Sequence, residues 1–247
     1  MEHPATPSIK IGLLSPVSPD RPHFESLRRM VPAEVEIVNR GLGLLRDSYH
    51  DLSGKTDAIV ERAVEVVREN PVQGLMITGG FVGLFNPGLE EKVAETIGIP
   101  VTAAVSSVTA AMRALDVKKL ILVTPFEADM NAIIVNHLEG LGFTVFSGPT
   151  FARERKPGAE VHVSADELIG KVTECAGKCP GAKAIYFQGA TLDPLPVIQE
   201  LEGAVKIPVV TSNTAMIWNI LSKLGLRFSI KGYGRLLSSW PSAVVSP

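Results

Sequence analysis

Short apolar runs alternate with longer amphipathic stretches along most of the chain. Eight of the runs predict β-strands, and most are continuously apolar, which is typical of strands buried on both faces of a sheet. The predicted strands cover residues 9–14, 35–38, 75–77, 101–103, 120–123, 144–146, 184–187 and 209–211. Helical periodicity predicts helices over residues 56–69, 87–97, 106–115, 129–141, 165–176, 194–202 and 213–224. Ser164 and Asn213 are predicted to begin helices, and Gly98, Gly142 and Gly225 to end them.

This strand–helix alternation predicts an α/β fold built on parallel sheet. The pattern divides near Ser107, and the parts on either side are similarly organised. We therefore expect one compact unit of two pseudo-symmetric halves, each a mainly parallel, four-stranded sheet flanked by helices. The expected halves are residues 1–107 with the C-terminal segment from about 212, and residues 108–211. The functional site is expected in the cleft between them.

Composition narrows the class of partner. Hydrophobic residues make up 45% of the 247 residues, charged residues 20%, and the formal net charge is −2, which predicts no nucleic-acid partner. No apolar run reaches the roughly 18 residues of a transmembrane helix, and the N-terminus lacks the pattern of a signal peptide. Two cysteines, Cys175 and Cys179, are too few for a disulfide framework. We expect a cytoplasmic protein without a membrane partner, and the sequence leaves a homo-oligomer open.

Small and polar residues follow most of the predicted strands. The carboxyl ends of the strands are where open α/β sheets bind ligands, and free N–H groups at helix starts bind carboxylate or phosphate. The candidate residues at these positions are Ser15, Thr78, Gly79, Gly80, Phe81, Thr124, Phe126, Gln188, Gly189 and Asn213. Any single loop of this kind is more often a helix cap or a tight turn. Six such loops at one sheet edge favour a polar anion pocket.

Two short motifs suggest nucleotide binding, and neither withstands inspection. The order of Gly79, Gly80 and Gly83 does not match a dinucleotide-binding turn, and Gly54-Lys55-Thr56 lacks the first glycine of a phosphate-binding loop. The two cysteines precede a predicted strand, which places them away from the site as structural thiols. No metal-ligand spacing is present among the cysteines and histidines. We expect neither a cofactor nor a metal.

A basic cluster follows the sixth predicted strand. It contains Arg153, Arg155 and Lys156, and His162 lies a few residues further on. Two interpretations are open: a solvated loop, or a lid that brings positive charge to a carboxylate substrate.

Four segments resemble the arylmalonate decarboxylase and maleate isomerase branch of the aspartate/glutamate racemase superfamily. They occur in the same order as in that branch and span nearly the whole chain. The segments are Gly41-Leu42-Gly43-Leu44, Thr124-Pro125-Phe126 followed by Asn131, Ser212-Asn213 followed by Trp218, and Gly232-Tyr233-Gly234-Arg235-Leu236.

The resemblance implies two pseudo-symmetric α/β halves with a cofactor-free site between them. Members of the superfamily use one or two cysteines, which protonate or deprotonate a carbon next to a carboxylate, or add to a double bond. By this resemblance the cysteine position of the first half falls at or beside Gly79, and that of the second half falls on Gln188. The tyrosine that helps hold the carboxylate falls on Phe126, and neighbouring hydroxyl residues of the anion site appear as Gly80 and Phe81.

Three functions remain open on these grounds. The first is a cofactor-independent lyase or isomerase that acts on a small carboxylate or dicarboxylate with a non-cysteine catalytic set. In it, N–H groups near Gly79, Gly80 and Gly189 hold the carboxylate. The residues that orient it are Ser15, Thr78, Gln188 and Asn213. The second is a carboxylate-binding protein without catalysis. The third is a hydrolase or hydratase in which Gln188 positions a water molecule.

Overall fold

Two parallel sheets organise the chain. The computed structural model describes residues 9–17, 22–152 and 156–243. The first sheet contains β1 (Ile9–Ser15), β2 (Val35–Gly41), β3 (Gly74–Ile77) and β4 (Val101–Ala103), in the order β2-β1-β3-β4. The second contains β5 (Lys119–Thr124), β6 (Thr144–Thr150), β7 (Ala184–Phe187) and β8 (Val209–Thr211), in the order β6-β5-β7-β8. All strand pairs in the described residues are parallel, so the predicted α/β class with two four-stranded sheets is confirmed.

Helices connect the strands and cover the sheets. They are α1 (Pro22–Arg29), α2 (Thr56–Glu69), α3 (Gly80–Leu84), α4 (Leu89–Ile97), α5 (Ala104–Ala114), α6 (Ala128–Gly140), α7 (Ala165–Lys178), α8 (Ile198–Val205), α9 (Ser212–Lys223) and α10 (Arg235–Ser239), with 3-10 turns at Tyr49–Leu52 and Leu195–Val197. The sequence predicts seven of these helices but not α1, α3 and α10. Helices α3 and α10 have five residues each, too few to show a periodic apolar face, whereas the eight-residue α1 was simply missed. In the described parts of the chain, no helix is both long and apolar enough to cross a membrane.

The start of α9 differs from the prediction. Thr211, not Asn213, caps this helix: its extended backbone ends β8, and its side chain accepts a hydrogen bond from the Thr214 N–H at 3.0 Å. The predicted cap at Ser164 is confirmed by a 3.2 Å hydrogen bond from the Glu167 N–H. Gly98 ends α4 in the left-handed conformation, as predicted.

Both sheets place their first and third strands side by side. At the end of β3, the Thr78 N–H donates to the Leu14 carbonyl at 2.9 Å. At the end of β7, the Gln188 N–H donates to the Val123 carbonyl at 3.0 Å. Thr78 and Gln188 are therefore equivalent positions in the two halves, each directly after a fully buried third strand.

The central helices α5 and α9 join the halves. The first ten residues of α9 are buried, and Asn219 donates a 3.2 Å hydrogen bond to the Ser107 hydroxyl on α5. The side chain of Ile220 packs against the backbone of Gly74 in β3. Lys223 binds the Glu90 carboxylate at 2.8 Å. Because α9 follows the second sheet yet packs on the first, the buried side chains of both sheets form one continuous core.

The Glu202 carboxylate ties the C-terminal segment to β8. Its side chain is buried and accepts hydrogen bonds from the N–H groups of Val209 at 2.8 Å and Arg235 at 3.0 Å. Gly234 precedes this contact with a φ of +84°, and a Cβ there would lie 3.2 Å from the carboxylate. Glu202 thus supplies acceptors that no strand partner provides for these two N–H groups.

Replacing Glu202 with alanine is expected to destabilise the protein. A buried N–H left without an acceptor costs about 1–3 kcal/mol. The Val209 contact is buried and the Arg235 contact is partly buried, so water replaces part of the second, and the free energy of unfolding should fall by about 2–4 kcal/mol. Urea unfolding at constant m-value measures the change. Glu200→Ala, on the exposed face of the same helix, is the matched control and should change stability little. Equal stability of the two variants would contradict a structural role for the Glu202 carboxylate.

Candidate functional site

A pocket lies where the carboxyl ends of strands from both sheets meet. Its volume is about 70 Å³, and since about 10–15 Å³ of such space holds one water molecule, it has room for a small organic acid. The lining residues are Ser15, Pro16, Val17, Leu45, Tyr49, Leu52, Thr78, Gly79, Gly80, Phe81, Phe126, Gly158, Gly189, Ala190, Thr191 and Ser212. The pocket is thus built from both halves.

Three aromatic rings form one wall of this pocket. The ring centroids of Tyr49, Phe81 and Phe126 lie 4.9–5.2 Å from one another, in tilted or edge-to-face orientations. Each ring comes from a different element: Tyr49 from a 3-10 turn, Phe81 from α3 and Phe126 from the turn after β5. Because the rings support one another, this wall is apolar and well packed.

The facing part of the pocket presents backbone N–H groups. Among the described residues, no acceptor is found for the N–H groups of residues 79–81 after β3, nor for those of residues 189–191 after β7. Gly79 and Gly189 turn the chain at these points with φ of +89° and +107°. A Cβ at either glycine would come within 2.9 Å of a proline ring, that of Pro16 or Pro125. Glycine is therefore required at both turns, and two matching sets of unpaired donors line one pocket.

The Gln188 side chain reaches across from the second half to the first. Its amide oxygen accepts hydrogen bonds from the Tyr186 hydroxyl and, at 2.9 Å, from the Ser212 hydroxyl. Its amide nitrogen lies over Gly80, where a Cβ would be only 1.6 Å away. Gln188 is 1% exposed, and its amide nitrogen has no partner within the described residues. The two hydroxyls therefore orient the amide so that an unused donor remains beside the pocket-lining Gly80.

Tyr186 fixes the orientation of the Gln188 amide by donating its hydroxyl proton to the amide oxygen. The residue is fully buried, and burial raises the pKa of its phenol far above the usual range, while the hydrogen bond with Ser212 acts in the opposite direction. The phenol therefore stays neutral and keeps its proton for the Gln188 oxygen.

Most of the predicted site residues come together at this pocket. Seven of the ten line it: Ser15, Thr78, Gly79, Gly80, Phe81, Phe126 and Gly189. Gln188 lies directly behind Gly80. These positions agree with the expected location, and the roles of the residues remain predictions.

Two predicted binding residues point elsewhere. The Thr124 hydroxyl donates to the Asn131 side chain at 2.6 Å and accepts from the Phe126 N–H, so it shapes the turn after β5. Asn213 lines a smaller neighbouring cavity with Leu192 and Asp193, because the adjacent Ser212 is the α9 residue that faces the pocket.

The proposed lid is only partly described. Arg153 and Arg155 lie outside the described residues. His162 is exposed. It lines neither the pocket nor a second, outer cavity that shares Tyr49 and Phe126 with the pocket. The same segment reaches the pocket through Gly158, whose N–H donates to the Tyr49 hydroxyl at 3.3 Å.

Four contributors, Tyr49, Tyr186, Thr191 and Ser212, were not named as site residues from the sequence. Tyr49 lies in a 3-10 turn between β2 and α2, far from any predicted strand end. Tyr186 lies within a buried strand, where it reads as a core residue. Ser212 and Thr191 follow predicted strands, and that position was a usable signal for both.

Charged side chains are absent from the described lining of the pocket. Across the described residues, no group of three or more His, Cys, Asp or Glu side chains is placed to hold a metal ion. Cys175 and Cys179 lie near the end of α7, and the Cys175 thiol contacts the Ser147 carbonyl oxygen at 3.7 Å. Burial, together with the neighbouring Cys179, raises the pKa of the Cys175 thiol. The Cys175 thiol therefore lacks the features of a reactive thiolate, and neither cysteine lines the pocket.

Comparison with curated proteins identifies relatives along most of the chain. A maleate isomerase from Nocardia farcinica is 26% identical over 199 residues, which cover 72% of this chain and 71% of the relative. An arylmalonate decarboxylase from Bordetella bronchiseptica is 26% identical over 193 residues, which cover 73% and 78% of the two chains.

Solved structures of similar proteins share the fold. An unliganded arylmalonate decarboxylase superposes with a TM-score of 0.78 at 22% identity, covering 93% of this chain and 99% of that one. A cysteine-to-serine variant of the Nocardia farcinica maleate cis-trans isomerase, solved with a covalently bound succinylcysteine intermediate, superposes with a TM-score of 0.81 at 22% identity, covering 94% of this chain and 98% of that one. The model of the arylmalonate decarboxylase family matches residues 11–237. The chain belongs to the arylmalonate decarboxylase family.

Proposed function

We propose that this protein is a cofactor-independent lyase of the decarboxylase type, or an isomerase, acting on a small carboxylate. The observation that carries the proposal is the group of N–H donors without acceptors at the pocket. Two sets of backbone N–H groups, at residues 79–81 and 189–191, have no acceptor among the described residues, and the Gln188 amide nitrogen next to them has none either.

An ionised carboxylate suits this surface because it has acceptors only. Its two oxygens offer about four lone-pair sites, which match converging N–H donors, and hydrogen bonds to a charged acceptor are stronger than neutral ones. A buried donor without a partner costs about 1–3 kcal/mol, so a ligand that satisfies several of them at once gains affinity.

The aromatic wall favours a reaction that removes charge. Tyr49, Phe81 and Phe126 would surround the part of the substrate that lies away from the N–H groups. A second carboxylate placed against these rings would lose most of its hydration and would have the Tyr49 hydroxyl as the one donor of this wall. Departure of that group as carbon dioxide relieves the cost, which supports decarboxylation over simple binding.

The chemistry differs from that of the succinylcysteine-forming relative. Gln188 stands at the position that the family resemblance assigns to a cysteine, and its amide can donate a hydrogen bond but cannot supply a proton at neutral pH. Gln188 is therefore proposed to orient the substrate carboxylate. The hydrogen bonds from Tyr186 and Ser212 keep its N–H₂ group on the ligand side.

Turnover of phenylmalonate and maleate tests the proposal. Release of carbon dioxide from phenylmalonate supports a lyase, and conversion of maleate to fumarate supports an isomerase. Calorimetry with phenylacetate, a carboxylate that cannot lose carbon dioxide readily, measures binding alone. Binding without turnover of either probe would identify a carboxylate-binding protein and contradict the proposal.

Replacing Gln188 with alanine should weaken carboxylate binding with little loss of stability. A hydrogen bond to a charged group is worth about 1.5–3 kcal/mol, so the Kd for phenylacetate should rise roughly ten- to a hundredfold. Calorimetry gives the Kd, and urea unfolding checks that the fold is retained. Unchanged affinity would remove Gln188 from the binding site.

Replacing Gly80 with alanine should have a similar effect through displacement of the same amide. The new Cβ would lie 1.6 Å from the present Gln188 nitrogen, so that side chain must move. We expect phenylacetate affinity to fall about tenfold, equivalent to about 1.4 kcal/mol. Gly83→Ala on the same helix is the matched control, because its Cβ would meet only the Ala103 methyl at 3.9 Å. Equal affinities of the two variants would show that the amide does not contact the ligand.

The cysteines should be dispensable. In the double variant Cys175→Ser and Cys179→Ser, turnover of the better probe should stay within about twofold of wild type, because neither thiol lines the pocket. Steady-state assays before and after thiol alkylation of the wild-type protein provide a second measurement. A loss of activity with retained folding would restore a thiol mechanism.

A further inference from the structure

A proton donor is the missing part of the proposed reaction. Loss of carbon dioxide leaves an electron pair on carbon, and that carbon must be protonated. Among the described residues that line the pocket, Tyr49 alone belongs to the side-chain types that commonly serve as general acids or bases in enzymes. The remaining polar lining side chains are the alcohols of Ser15, Thr78, Thr191 and Ser212, none of which has a neighbouring base in the described site.

The position of Tyr49 suits proton transfer. Its ring packs between Phe81 and Phe126, with centroid distances of 5.0 and 5.2 Å, so its orientation is defined. Its oxygen accepts the Gly158 N–H at 3.3 Å, and Gly158 also lines the pocket. A donor held on the phenol oxygen stabilises the phenolate that forms when the proton leaves.

Tyr49 also separates the pocket from a second cavity. Tyr49 and Phe126 line both spaces, and the outer one has a volume of about 230 Å³. The outer cavity is bordered by charged or titratable side chains from three segments: Asp47 and His50 beside Tyr49, Glu127 and Asp129 at the start of α6, and Lys156. Water in this cavity can return a proton to the phenolate without entering the substrate pocket.

We propose that the Tyr49 hydroxyl is the proton-transfer group of this site, a role that rests on the proposed function. The bond between the α-carbon and the leaving carboxylate breaks, and carbon dioxide departs. The electron pair stays on the α-carbon and is delocalised into the carboxylate held by the N–H groups. The Tyr49 hydroxyl gives its proton to that carbon. The phenolate then takes a proton from water in the outer cavity, so one proton is consumed for each carbon dioxide released.

Tyr186 is excluded from this role by its surroundings. It is fully buried behind Gln188, lines no part of the pocket, and directs its proton to the Gln188 amide oxygen. Its strongly raised pKa further opposes proton loss. Tyr186 also contacts the Ser212 hydroxyl at 3.2 Å, and that hydroxyl donates its own proton to the same Gln188 oxygen at 2.9 Å.

The Tyr49→Phe variant of the full chain tests the assignment. A positioned general acid contributes about 10²–10⁴-fold, so kcat for phenylmalonate should fall at least about a hundredfold. The Kd for phenylacetate should stay within about threefold, because the ring and its packing are retained. In D₂O, wild type should exchange the α-hydrogens of phenylacetate for deuterium, and Tyr49→Phe should not. Tyr233→Phe, outside the pocket, is the matched control and should retain both activities.

Each outcome decides the assignment. Loss of turnover and deuterium exchange with retained phenylacetate binding supports it. Turnover within about threefold of wild type in Tyr49→Phe overturns it and leaves the proposed function intact. Parallel loss of binding and turnover overturns it in favour of a binding role. A wild-type protein that turns over neither phenylmalonate nor maleate and exchanges no deuterium overturns the proposed function and this assignment together.

Discussion

Parallel pairing of the first and third strands, repeated in both sheets, is the constraint from which the site follows. In each half the residue after the third strand donates its N–H to a carbonyl near the end of the first strand. Thr78 and Gln188 are therefore equivalent positions, each at the start of the turn that follows its strand. The chain must then leave the sheet beside a proline that follows the first strand. Gly79 and Gly189 meet this steric limit with positive φ. The next N–H groups are left without acceptors, and both sets reach the same pocket.

The two halves use the same backbone frame for different side chains. In the first half Gly80 and Phe81 follow the turn, and in the second half Ala190 and Thr191 do. The space left by Gly80 is taken up by the Gln188 amide from the opposite half. The aromatic wall, in turn, is assembled from Tyr49, Phe81 and Phe126, so the polar and apolar faces of the pocket both depend on contacts between halves. The unpaired N–H groups of both halves belong to the backbone, so their positions depend on the two turns and not on side chains.

Strand and helix positions were largely predictable because buried parallel strands are continuously apolar and long helices are periodic. Residues 184–187 and 209–211 were predicted as observed, and so was the helix at Thr56–Glu69. Short elements were not predictable. The five residues of α3 contain two glycines, and the 3-10 turn at Tyr49–Leu52 gives no apolar period. The cap of α9 was misplaced by two residues because Thr211 serves as both strand end and helix cap.

By itself, the sequence determined the fold class, the two-sheet repeat and the set of turns at which a ligand could be held. These features are local: apolar runs, caps and glycines act within a few residues of their own position. Only the tertiary structure decided which side chains share the pocket. It brought in Tyr49 from a remote turn, placed Tyr186 and Ser212 within hydrogen-bond distance of Gln188, and directed Asn213 and the Thr124 hydroxyl elsewhere. Such choices depend on the direction of each side chain and on contacts between segments far apart in the chain, and no local pattern encodes them.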